Sequence, residues 1–145
     1  MKDIVNKKCY YILSMLLIIT VVYFGKGCSH DYPIDNDGLL ITGRWQCYVN
    51  ESGFDLLGVD HRTVLIGNTP PNLLIDTTLL TINALVHFGT DLKNLYPMFS
   101  LVTDATLEPK VTGLTDFSFP REYTVISGNR KVRKTYTVTV TILKP

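Results

Sequence analysis

Cysteine is scarce in this 145-residue chain, which has only Cys9, Cys28 and Cys47. No C-x-x-C pair and no Cys/His cluster at zinc spacing occurs, which excludes a structural zinc motif and a disulfide framework. Helical patterning is missing too. After residue 28 no stretch carries apolar residues at helical spacing over three turns. The sequence has no phosphate loop, no dinucleotide fingerprint, no G-x-S-x-G elbow and no D-x-[DN]-x-[DN]-G calcium loop. Glutamate is limited to Glu51, Glu108 and Glu122, each in a different local context. Glycoside hydrolysis needs two facing carboxylates, and nothing in the pattern pairs them. His30, His61 and His87 are spread along the chain, so no catalytic cluster forms by proximity. No catalytic residue, cofactor or metal is expected, and the chain reads as a non-enzyme.

The N-terminus is the richest segment. Lys2, Lys7 and Lys8 precede an apolar run over residues 10–24, and Gly25-Lys26-Gly27-Cys28 follows. A basic head, a short apolar core and small residues before a cut site make a secretory leader. The apolar core is shorter than the roughly 18–20 residues that span a bilayer. An uncleaved single-pass anchor is the alternative, since a thinned bilayer accepts a short segment. A cysteine directly after Gly27 resembles a bacterial lipobox. That resemblance implies cleavage before Cys28 and lipidation of Cys28, hence attachment to a membrane and a place in the cell envelope. Residues 1–27 are then the signal peptide, residues 28–37 the lipidated cysteine and a flexible acidic tether, and residues 38–145 one domain. The leader holds four of the 14 basic residues and one of the 13 acids, so its removal takes the charge from +1 to −2. No basic patch remains for nucleic acid. The run Arg130-Lys131-Val132-Arg133-Lys134 reads as a solvated hairpin turn.

The domain reads as short strands separated by turn signals. Leu39 to Tyr48 suits a strand, with Trp45 and Cys47 on its inner face and Tyr48 outward. Asn50-Glu51-Ser52-Gly53 suits a turn. Arg62 to Ile66 is a short strand, and Gly67 to Asn72, with two prolines, is a break. Leu79 to Phe88 alternates: Ile82, Ala84 and Val86 face one side, Thr81 and Asn83 the other. Met98 to Val102, Leu107 to Val111 and Glu122 to Ile126 follow. Ser127-Gly128-Asn129-Arg130 suits a hairpin turn into Thr135 to Ile142, where Thr and apolar residues alternate throughout. About seven strands predict an all-β fold, an antiparallel immunoglobulin-like Greek-key β-sandwich, with a small barrel as the alternative.

Residues 82–142 carry an ordered set of pieces: Gly89-Thr90-Asp91-Leu92, Leu95-Tyr96-Pro97, Ala105 to Pro109, Asp116-Phe117-Ser118 before Tyr123-Thr124-Val125, and Tyr136-Thr137-Val138-Thr139-Val140. Together they resemble immunoglobulin-like domains of surface lipoproteins from gut Bacteroidetes. The resemblance implies an outer-membrane or cell-surface place beside glycan-uptake systems, with polysaccharide or other envelope proteins as partners. In this chain Pro145 directly follows the last strand, and the separate glycan-handling domain of such proteins is not among its residues.

Sugar-binding surfaces use exposed aromatic rings against the C–H face of a sugar. Tyr48, Tyr96 and Phe117 are the candidate contacts for ligand or partner. Trp45 is expected in the core beside Cys47, and Cys47 as a buried apolar thiol. Two short motifs remain: Asn50-Glu51-Ser52 fits N-glycosylation, and Asp76-Thr77-Thr78 resembles the O-glycosylation motif of Bacteroidetes exported proteins. The resulting expectation is a lipid-anchored binding or accessory module for surface glycan uptake. The alternative is a structural spacer or a partner-docking envelope protein.

Overall fold

The computed structural model describes residues 33–145. The leader and Cys28 lie outside the described residues, as does the first half of the tether.

Among the described residues seven strands form: β1 (Val49–Leu57), β2 (Leu73–Asp76), β3 (Thr81–Val86), β4 (Tyr96–Leu101), β5 (Thr106–Glu108), β6 (Arg121–Ile126) and β7 (Arg133–Ile142). They make two sheets, one of β1 and β4, the other in the order β2-β3-β7-β6-β5. The fold is all-β, and the two separate sheets make it a sandwich rather than a closed barrel. One pairing departs from the antiparallel expectation: β3 runs parallel to β7, with Ile82 beside Val138 and Ala84 beside Val140.

The large sheet follows directly from alternation. Ile82, Ala84 and Val86 of β3, Tyr123 and Val125 of β6, and Tyr136, Val138 and Val140 of β7 are all buried. A two-residue period puts these side chains on one face, and a slip by one residue would expose them all. On the outer face Thr124 and Thr135 sit opposite each other and their hydroxyls lie 2.9 Å apart. The β6–β7 turn forms at Ser127 to Val132, as the sequence suggests. Ser127 is buried, and its Oγ donates to Asn129 Oδ1 and accepts from the Val132 N–H. Such local bonds replace the ladder where the chain reverses.

The small sheet departs from expectation. The Asn50-Glu51-Ser52-Gly53 signal does not end a strand. It produces a bulge inside β1, where register shifts between Val49, opposite Leu101, and Phe54, opposite Phe99. Extra residues on one strand bend it and increase its twist. Asn50 Nδ2 fastens the bulge to Ser100 Oγ and to the Leu101 carbonyl. Gly53 is required there, because a Cβ would collide with the Ser100 carbonyl oxygen.

The two layers are joined by rings. Phe54 of β1 packs edge-on against Phe99 of β4 at 5.0 Å, and Phe99 lies 4.8 Å from Tyr123 of β6. Spacings in this range suit tilted and edge-to-face pairs. β2 was not expected from sequence. It pairs antiparallel with β3 from Leu73 opposite Ala84 to Asp76 opposite Thr81. Arg62 to Ile66 forms no continuous strand. It makes isolated bridges, Thr63 with Leu57 and Leu65 with Val86.

Residues 39–48 form no strand either. Residues 33–41 make a small loop closed by an Ile34–Leu40 bridge. Its Asp35 Oδ1 accepts from the Asp37 and Leu39 N–H groups. Residues 33–37, read from sequence as the end of a flexible tether, are therefore bonded into the domain. Arg130 is the clamp: Nε lies 2.9 Å from Asp35 Oδ2, and its Nη groups donate to the Leu40, Asp104 and Ser127 carbonyls. The backbone N–H of Leu39, followed by Arg130, holds the Asp35 carboxyl below the usual carboxylate range.

Candidate functional site

Residues 42–48 run beside the β6–β7 turn and are fixed at short intervals. Thr42 N–H donates to the Gly128 carbonyl, and the Asn129 N–H donates to the Arg44 carbonyl. Gly128 admits this approach, since a Cβ there would stand 2.5 Å from Thr42 Oγ1. The Arg44 guanidinium meets Asp104 at 3.1 Å. Cys47 is buried, and its Sγ donates to the Val125 carbonyl at 3.0 Å. Burial pushes its thiol pKa up, against the pull of nearby Lys134, so the thiolate a nucleophile needs is disfavoured. The Tyr48 carbonyl accepts from Val102.

Trp45 sits between these anchors and is 67% exposed. The expectation that it lies in the core beside Cys47 is wrong. That expectation required a strand, and without a ladder nothing enforces a two-residue period along residues 39–48. Tyr48, three residues on, is 38% exposed. The result is a segment held by backbone bonds at Thr42, Arg44 and Tyr48 and by the Cys47 thiol, with two large aromatic side chains open to solvent. A ring on a fixed backbone loses little further freedom when it meets a ligand.

Tyr96 lies on β4 rather than in a loop, opposite Leu57, and is half-buried. It lines an open groove of about 450 Å³ with Met98, Phe99, Leu101, Leu107 and Val111. This groove follows the seam where edge strand β4 passes edge strand β5. Pro97 has no N–H to offer at that edge, which opposes the addition of a further strand. Phe117, the third candidate, is corrected. Its N–H donates to the Leu92 carbonyl at 2.7 Å, and the adjacent Leu95–Thr115 bridge draws the loop inward. Its ring is 1% exposed and belongs to the core, out of reach of any ligand.

The carboxylates stay apart. Glu51 is in the β1 bulge, Glu122 is exposed on β6, and Glu108 pairs with Arg133. Among the described residues no group of three or more His, Cys, Asp and Glu side chains could hold a metal ion. What the surface offers is apolar stacking area at Trp45 and Tyr48, and an apolar groove at Tyr96.

Sequence reasoning missed Trp45 as a surface residue. The available signal was Gly43, two residues before it, which interrupts the alternation on which its inward placement depended.

The family described as "SGBP, N-terminal" matches residues 64–140, more than half of the chain. The chain belongs to that family. It is similar to a provisionally named glycoside hydrolase of Bacteroides thetaiotaomicron, at 26% identity over 70% of this chain, with a TM-score of 0.43. The match spans only 25% of that protein's length. It is also similar to a provisionally named secreted protein of Bacteroides fragilis, at 16% identity over 63% of this chain and 91% of the other, with a TM-score of 0.43. No curated protein matches the chain.

Proposed function

We propose that this member of the SGBP N-terminal family is a non-catalytic accessory module of the cell envelope that contacts surface glycan. It is held to the membrane by lipid at Cys28 and works beside a polysaccharide-uptake system. Family membership over residues 64–140 is the observation that carries this reading. The contact face is the segment bearing Trp45 and Tyr48, because it combines exposed rings with a fixed backbone. The all-β sandwich supplies a rigid support for it. Among the described residues the carboxylates are scattered and Cys47 is buried, which favours binding over catalysis.

The test is a glycan array followed by polysaccharide gel retardation, with the purified full chain in mild detergent. Retardation that falls at least fivefold on Trp45→Ala, and more weakly on Tyr48→Ala, supports the reading. Unchanged retardation on both substitutions moves the contact face elsewhere. A folded sample that binds no glycan sinks the reading.

The apolar seam at Tyr96 and Met98 favours a second one, a partner-docking protein of the envelope. In that case a pull-down from envelope extract retains a partner that Met98→Glu releases.

A further inference from the structure

Arg121 opens β6 and differs from the other arginines. Arg44, Arg62, Arg130 and Arg133 each meet a carboxylate within 4 Å. Arg121 has no such partner among the described residues, yet it is held firmly. Its Nε donates to the Asp116 carbonyl at 2.6 Å, and its guanidinium carbon stands 4.1 Å from the centre of the Phe119 ring. One edge and one face of the guanidinium are thus fixed. Nη1 and Nη2 donate to no protein acceptor among the described residues.

Arg121 also lines a cleft of about 380 Å³ with the loop Lys110 to Thr115 and with Glu122 and Tyr123. The charges around it are largely committed. Lys110 pairs with Asp37 at 2.9 Å. The Asp116 carboxylate accepts from the Ser118 N–H, which holds it within its own loop. Glu122 is the exposed carboxylate of the lining. The loop residues Thr112, Gly113 and Leu114 also line the cleft, and their N–H groups make no protein hydrogen bond among the described residues.

A planar guanidinium fixed by Nε and by an aromatic face keeps two parallel Nη donors for one planar acceptor. Carboxylate has the matching geometry, and a preorganised fork loses less freedom per bond than a lysine would. The cleft volume falls within the range of small-molecule sites. We propose that this cleft is a subsite for a carboxylated sugar, a uronic acid unit of an acidic polysaccharide. Arg121 pairs bidentately with its carboxylate, and the Thr112–Thr115 loop faces its hydroxyls. The proposal rests on the glycan-contact reading and adds the class of glycan.

The test is retardation of the full chain, in detergent, by polygalacturonate, by methyl-esterified polygalacturonate and by a neutral glucan. Polygalacturonate is expected to retard the protein, and its methyl ester at least tenfold less. Arg121→Gln is expected to lose about tenfold in affinity, the scale of one charged hydrogen-bonding contact, and Arg121→Lys to recover only part of it. The methyl-ester comparison uses the unaltered protein, so it stands even if a variant fails to fold. Equal retardation by acid and ester, or by Arg121→Gln and the unaltered chain, overturns the proposal. Binding only to neutral glucan, lost on Trp45→Ala, overturns the uronate subsite and keeps the glycan-contact reading. Binding to no glycan sinks both.

Discussion

Alternate residues are buried from Ile82 to Val86 in β3, at Tyr123 and Val125 in β6 and from Tyr136 to Val140 in β7, while β1 shifts register against β4 between Val49 and Phe54. Alternation therefore fixes which face of each strand of the large sheet turns inward, because a one-residue slip turns a whole apolar face outward. The small sheet has two strands, and a two-stranded unit holds poorly without support. Its position depends on particular contacts: the Phe54–Phe99–Tyr123 ring series, the Asn50 amide, and the space left by Gly53. The difference teaches that buried residues of similar type can be ordered by periodicity in one layer and by individual contacts in the other.

The largest expected effect tests the ring series. Phe54→Ala should cost about 3–5 kcal/mol in chemical denaturation, as for large-to-small changes at buried aromatic positions. Hydrogen exchange should show β1 and β4 amides losing protection before those of β3 and β7. Uniform loss across both sheets would erase the distinction. Next is Gly53→Ala, expected to cost about 1–3 kcal/mol because the added methyl meets fixed backbone oxygen. A neutral result would mean that the bulge relaxes freely.

The smallest effect lies in the centre of the large sheet. Tyr136 of β7 is fully buried, and among the described residues its hydroxyl finds no hydrogen-bond partner. The Val49 backbone lies close enough to counter, in part, the upward push that burial gives its pKa, yet makes no bond of ordinary geometry. Tyr136→Phe keeps the ring and removes an unsatisfied polar group, so stability should rise by about 1 kcal/mol. A loss instead would show that the hydroxyl is bonded and that the large sheet also relies on a specific contact.

Much of the large sheet was legible in advance. The alternations at Ile82 to Val86 and Tyr136 to Val140 placed their strands and inner faces correctly, and Ser127 to Arg130 marked the hairpin. The parallel pairing of β3 with β7 was not legible, because alternation gives a strand's face and not its neighbour. β2 was missed since four residues after two prolines carry too little pattern. The candidate site was half legible. Tyr48 is exposed, and Tyr96 lines a groove, but Phe117 is buried by the Leu95–Thr115 bridge and Trp45 is exposed for lack of a ladder.

The amino-acid order by itself determined an all-β chain and the inner faces of β3 and β7. These follow from local pattern, the two-residue period of apolar side chains. Tertiary structure alone decided that Asn50 to Gly53 bulges rather than turns, that Arg130 clamps Asp35, and which aromatic rings meet solvent. Those outcomes depend on contacts between residues up to 95 positions apart, such as Arg130 with Asp35. A short-range pattern carries no information about such partners.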